Sequence, residues 1–198
     1  MKSTKWFPVL LAVSVIAVGC SDYHQPLAPA GDLAVLAYGA GKGPAPQPVL
    51  VTVPFKADFS VWSKTDYTDR RCGDHPNYFL TMEGHGNATH LGKVTVRFTF
   101  CCNVATGAYW GTEATFVAAN GEELWLTIPQ GQIYPNFGDN SHYYQTRFDD
   151  PMPIVGGTGR FQGATGYLTT NAWVHDGTDE WRTDFFPKGT LTMVQGRK

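Results

Sequence analysis

From Val49 to the end of the chain, apolar and polar side chains alternate, and turn residues interrupt the alternation at short intervals. A period of two places successive side chains on opposite faces of an extended backbone, so each such stretch reads as a half-buried strand. Val94, Val96, Phe98 and Phe100 alternate with Lys93, Thr95, Arg97 and Thr99, and Phe55, Ala57, Phe59 and Val61 alternate with Lys56, Asp58 and Ser60. Residues 112–119 and 122–128 flank Asn120-Gly121, a dipeptide suited to a type I′ hairpin because both residues tolerate positive φ. Further strands are expected over 78–83, 143–148 and 167–174, the last turned by Asp176-Gly177 toward 181–186, with 189–194 closing the chain. Outside the first twenty residues, no stretch of ten or more keeps a 3.6-residue period. The pattern predicts an all-β fold, a single antiparallel β-barrel of about eight strands, in which closure removes exposed strand edges.

Composition narrows the function classes. With 42% hydrophobic, 14% aromatic and only 16% charged residues, the chain has too much apolar surface to remain disordered. The 22 Gly and 13 Pro supply turns for short strands. Fifteen Lys+Arg against 17 Asp+Glu give a net charge of −2, and no basic stripe is present, which argues against a nucleic-acid partner.

The first residues, MKSTKWFPVLLAVSVIAVGC, combine two lysines, an apolar run from Trp6 to Val18 and a small residue at a cut site. That is the make-up of a secretory signal peptide, and the run is short for a span of ~20 residues. Ala17-Val18-Gly19-Cys20 resembles a bacterial lipoprotein lipobox, with Ala17 where Leu or Val is usual. The resemblance implies cleavage after residue 19, lipid on Cys20, and a membrane-anchored place in the bacterial cell envelope, at an outer membrane or on its periplasmic side. Each buried acyl methylene contributes ~0.8 kcal/mol to such an anchor. Loss of Lys2 and Lys5 would leave 13 basic against 17 acidic residues, a charge of −4. Residues 20–48 read as anchor and tether: five prolines alternate with glycines, although 33–38 form an apolar patch that could pack as a strand or helical turn. The expected organisation is a leader over 1–19, anchor and tether over 20–48, and barrel over 49–198.

Within 154–170, Gly156, Gly157, Gly159, Gly163 and Gly166 lie close together. Their spacing misses a dinucleotide fingerprint by one residue, and no helix follows, so they read as backbone glycines that permit sharp reversal and close strand approach. This stretch resembles the glycine-rich segment of allene oxide cyclase-like and dirigent-like barrels, which introduces a late strand. The run from Gly86 through Asn87, Ala88, Thr89, His90, Leu91 and Gly92 to Lys93 resembles a segment of small secreted bacterial proteins of the same barrel type. The resemblance implies a calycin-type eight-stranded antiparallel barrel with an apolar interior that sometimes holds a hydrophobic ligand. The acid residues of the cyclases have no recognisable counterparts here, so no activity carries over.

With Cys20 acylated, Cys72, Cys101 and Cys102 remain, enough for one internal disulfide in an oxidising compartment. On an extended strand Cys102 continues the apolar face of Val96, Phe98 and Phe100, while Cys101 continues the face of Arg97 and Thr99. A bridge from Cys72 to one of the two is expected. Cys72-x-x-His75 with Cys101-Cys102 fits no standard zinc spacing, and neither a metal nor another cofactor is expected. His85 and His90 read as residues of a glycine-containing loop, where surface hydrogen bonding competes with a metal cluster or acid–base pair that would include Glu83, and the pairs Glu122-Glu123 and Asp149-Asp150 read as solvated carboxylates beside turns. No nucleophile elbow or His-Glu-x-x-His motif is present, so no catalytic residue is named. Tyr167, Asn171 and Trp173 are expected on one strand face, either solvent-facing or lining a pocket, while Leu168, Thr170, Ala172 and Val174 form the easier core face.

Three functions compete: a barrel binding a small hydrophobic ligand, a cyclase or isomerase, and a solid-cored surface interaction protein, with a homo-oligomer among the expected assemblies. The interior decides between them, because eight strands leave just enough room to be filled or to hold one ligand.

Overall fold

In the computed structural model the described residues are 48–177 and 181–196. The expected leader over 1–19, Cys20, the expected tether as far as residue 47 and the apolar patch at 33–38 lie outside them. Among the described residues there are twelve strands: β1 (Leu50–Ser63), β2 (Asn77–Ala88), β3 (Gly92–Asn103), β4 (Ala108–Ala118), β5 (Glu123–Gln132), β6 (Tyr134–Pro135), β7 (Thr146–Phe148), β8 (Pro151–Gly157), β9 (Thr165–Thr169), β10 (Ala172–His175), β11 (Arg182–Phe185) and β12 (Lys188–Val194). One short 3₁₀ turn covers Gly159–Phe161.

Eight strands close an antiparallel barrel in the order β1-β2-β3-β4-β5-β8-β9-β12, with β12 returning to β1. β1 is long enough to serve two neighbours. Its first half, Leu50 to Lys56, pairs with β12, and its second half, Phe59 to Trp62, pairs with β11. From β11 the wall continues through β10, β7 and β6 as a four-stranded flap. β8 meets β5 only over Leu124 to Leu126, so the upper part of the interior is bounded by the flap instead.

The alternation read from the sequence is the inward–outward alternation of the barrel. Phe55, Phe59 and Val61 on β1, and Val94, Val96, Phe98 and Cys102 on β3, are buried. The interior is filled by pairing large residues with glycines. Phe59 stands opposite Gly86 and Val61 opposite Gly84 on the β1–β2 ladder. A Cβ at Gly84 would collide with the Ser60 carbonyl oxygen, and one at Gly86 with that of Asp58, so β1 can lie this close only to glycine. Leu124 opposite Gly157 and Leu191 opposite Gly166 repeat the arrangement on the far wall. Of the remaining glycines in that segment, Gly156 lies in β8, Gly159 opens the 3₁₀ turn and Gly163 follows it. Phe161 from this turn is fully buried in the core.

Three local expectations are corrected. The 118–122 hairpin is not type I′: Gly121 has φ +83° while Asn120 does not take a positive φ, and Gly121 N–H bonds the Ala118 carbonyl. That is a three-residue loop ending in a left-handed glycine. The expected strand over 143–148 is only Thr146–Phe148, because Asn136 holds 136–145 as a loop by bonding Asn140, the Tyr144 carbonyl and the Gly138 amide. The run 167–174 is two strands, broken at Thr170-Asn171 where Asn171 takes φ +41°.

Cys72 is bonded to Cys101, with Cα atoms 5.6 Å apart, and Cys102 remains a buried free thiol. Facing decides the partner, since Cys101 points outward toward the loop before β2. The bridge ties that loop to β3, and Arg71 lies 3.9 Å over the Phe79 ring beside it. Closing a loop of this length is worth roughly 2–4 kcal/mol.

Candidate functional site

Phe55, Phe59, Val61, Phe116, Leu124 and Leu191 are buried in the core. Above Phe98 and Phe185 a cavity of about 330 Å3 opens. Its floor is a stack of rings: Phe185 lies 4.9 Å from Phe98 and 5.0 Å from Phe59. The walls are Leu80 and Met82 from β2, Phe100 and Cys102 from β3, Ile128 from β5, and Phe148, Val174 and Thr183 from the flap. At the mouth stand the 104–107 loop, Asp176 and the half-exposed Trp181. Such a volume with an apolar lining and few polar groups is the usual form of a small-molecule site.

Tyr109 reaches this space beside Thr112 because β4 carries a bulge. Thr99 pairs with Glu113 but Cys101 pairs with Trp110, so β4 has one residue more than β3 at this point. Gly111 absorbs the extra residue at φ +63°. The bulge reverses the inward parity, and both Tyr109 and Thr112 are buried, although three positions separate them. The period of two alone puts Tyr109 outside, which is why sequence reasoning missed it; Gly111 within a strand pattern was the available signal.

The Tyr109 ring crosses the inward side of Gly131, where a Cβ would overlap it. Its hydroxyl donates to Asp150 Oδ2 at 2.7 Å. Burial, then the hydrogen bond and charge of Asp150, push the Tyr109 hydroxyl far above the ordinary tyrosine range. Asp150 also receives the Gln132 amide at 3.4 Å, and its own amide bonds Thr170 Oγ1. It pins the seam where the chain crosses from β7 to β8. The expectation that Asp149 and Asp150 are merely solvated is thereby corrected for Asp150, while Asp149 is exposed as expected and accepts from the Asn171 amide. Glu122 is corrected in the same way, bonding the Arg160 amide at 2.9 Å and pairing with its guanidinium.

Cys102 lines the cavity, and burial pushes its thiol up to about 11. The Thr112 hydroxyl is buried and forms no hydrogen bond among the described residues.

Tyr167, Asn171 and Trp173 are absent from the lining. The break at Asn171 separates Tyr167 from the other two. Tyr167 on β9 is half-exposed on the outer face, and the Trp173 indole N–H donates to Asn171 Oδ1 outside the flap. Their opposite face, Leu168, Thr170 and Ala172, is buried as expected, and Val174 reaches the cavity. His85 is exposed and stacks on Trp62, while His90 bonds the Pro54 carbonyl at 3.0 Å.

Among the described residues, fold and site together define a closed antiparallel β-barrel with an apolar cavity above a ring-stacked floor. The chain matches no protein-family model and no curated protein sequence.

Proposed function

We propose that this protein binds a small hydrophobic molecule in the upper half of its barrel and acts as a carrier or sensor at the cell envelope, held there by lipid on Cys20. The cavity of about 330 Å3 with its apolar wall is the observation that carries the binding half of this reading. Apolar surface left facing an interior void loses contacts that an occupant restores, and the mouth gives an occupant a route in. A solid-cored interaction protein would instead need side chains filling this space. Resemblance to allene oxide cyclase-like and dirigent-like barrels is supported by the eight closing strands and by the glycine segment just before a late strand. The envelope location rests on the lipobox; a mass for membrane-derived protein showing an unmodified Cys20 would remove it.

Binding is tested with 1-aminoanthracene, an apolar fluorophore, titrated into the folded chain. Saturable enhancement at one site is expected, and Ile128→Trp, which fills the cavity from β5, should abolish it with the circular dichroism unchanged. A wild-type protein giving no saturable signal overturns the reading.

A cyclase or isomerase is the second reading, favoured by the buried Tyr109 on the cavity wall, whose hydroxyl donates to the half-buried Asp150. The Tyr109 proton is directed at Asp150, so its oxygen, rather than its proton, is available to an occupant. That geometry suits positioning a ligand better than protonating it.

A further inference from the structure

We infer that the mouth of the barrel is a membrane-docking surface: an apolar rim seats it on a lipid bilayer, and the occupant passes between bilayer and cavity without crossing water. The inference rests on the ligand-binding and lipid-anchor readings above and names the partner of that same site.

Apolar side chains are exposed where the cavity opens. Val104 and Ala105 on the β3–β4 turn, Pro135 on β6 and Trp181 before β11 all line the cavity, and all four are exposed. Phe137, two residues beyond Pro135, is 91% exposed, the most of any large hydrophobic side chain among the described residues. The two segments 103–108 and 133–138 contain no charged residue. Among the described residues the lining itself holds one, the exposed Asp176. Charges are costly in hydrocarbon, whereas aromatic rings settle at the interface between water and lipid. A rim of this composition suits headgroup depth, with Asp176 left among the headgroups. Without Lys or Arg in these segments, the contact is apolar rather than electrostatic.

A protein partner on this rim would cap the opening; a bilayer extends it. Molecules apolar enough for the cavity leave water for acyl chains, so the bilayer is their reservoir, and the rim joins that reservoir to Phe100 and Phe148 inside.

The anchor leaves this orientation open. β1 is 14 residues long and ends at Ser63, which lines the cavity, so the chain enters β1 at the end remote from the mouth. That strand is roughly 45 Å long at ~3.3 Å per residue. The chain from Cys20 to Pro48 can extend to roughly 90 Å, enough for either end of the barrel to meet the membrane. At the remote end Val49 and Leu50 are exposed as well, but they border no part of the cavity. The surface, not the tether, therefore decides which end docks.

The test reads which face touches lipid. Val104→Cys, Phe137→Cys, Val155→Cys and Val49→Cys, each in the full chain, are labelled at pH 7 with a nitrobenzoxadiazole maleimide; the buried Cys102 thiol reacts slowly there. Each protein is placed in phosphatidylcholine vesicles with and without brominated acyl chains, which quench on contact. Labels at 104 and 137 should be quenched at least about threefold more than the label at 49, because interfacial side chains reach ~5–10 Å into the boundary of headgroups and acyl chains. The label at 155, exposed on the outer wall in β8, should match that at 49. The difference should survive high salt. Equal quenching at all four positions, or strongest quenching at 49 or 155, overturns the inference alone. The anchor reading then stands on the chain's presence on the vesicles, and the 1-aminoanthracene titration decides ligand binding separately. A chain that does not float with the vesicles overturns the anchor reading and this inference together. Should Val104→Cys disturb its turn, Phe137→Cys against Val49→Cys decides, since both residues are exposed.

Discussion

Asp184 lies on β11 between Thr183 and Phe185, both buried toward the interior, and so its carboxylate points out of the barrel beneath the 136–145 loop. Ser60 Oγ donates to Oδ1 at 2.5 Å, Tyr144 donates to Oδ2 at 2.8 Å, and Arg182 Nη2 lies 2.6 Å from Oδ2. Burial by itself would raise this carboxyl; the Arg182, Ser60 and Tyr144 bonds outweigh it and hold Asp184 below the usual range. The Tyr144 hydroxyl is pushed up to about 12, first by burial and then by Asp184. A carboxyl whose folded value is depressed stabilises above its unfolded value of ~3.9, and that stabilisation disappears as pH falls toward the folded value. Asp184→Asn should therefore cost about 2 kcal/mol at pH 7, less than a fully buried pair because Arg182 is one-third exposed. Urea denaturation should show the gap between variant and wild type narrowing below about pH 4; a gap independent of pH contradicts this account. Nothing in the spacing of Ser60, Tyr144, Arg182 and Asp184 announces the cluster, because it is assembled from β1, β11 and a loop distant in sequence.

At the scale of elements, the strands were legible where one face is apolar and the other polar, as in β1 and β3. The flap strands β6, β7, β10 and β11 are two to four residues long, too short for a period to be counted, and so their boundaries were misplaced. Glycines inside strands mark another limit. Gly84 and Gly86 look like interruptions of β2, yet they are the positions that let β1 approach. Gly84→Ala should cost about 3 kcal/mol or more, since its methyl meets backbone rather than a movable side chain. Gly92→Ala is the control: Gly92 has φ +71° with nothing within 4 Å of an added Cβ, so it should cost only about 1–2 kcal/mol of backbone strain. Equal losses in thermal or chemical unfolding would show that close approach does not govern β2.

For the whole molecule, the flap becomes part of the cavity wall because one strand, β1, serves two partners. β1 hands its edge from β12 to β11, and a cavity lined in part by the flap lies above Phe98 and Phe185. Cys102 reports on that space from inside. With its thiol at about 11, maleimide labelling mapped to Cys102 should be slow at pH 7 and rise roughly tenfold per pH unit up to about pH 10. Butylbenzene in the cavity should slow it further at every pH. A labelling rate that levels off near pH 9, as for an exposed thiol, would mean that Cys102 is not shielded by the barrel.

By itself the sequence determined that this domain is all-β, that its clearest strand turns Val94, Val96, Phe98 and Phe100 inward, and that Cys72 has a partner in the Cys101-Cys102 pair, because period and turn chemistry are local properties. The tertiary structure decided everything that depends on strands meeting: which of the two cysteines faces Cys72, which strands close the ring, and that a bulge at Gly111 brings Tyr109 and Thr112 to the same wall. A cavity has no sequence signature, since it is the volume that remains after side chains from distant strands have been placed around a common axis.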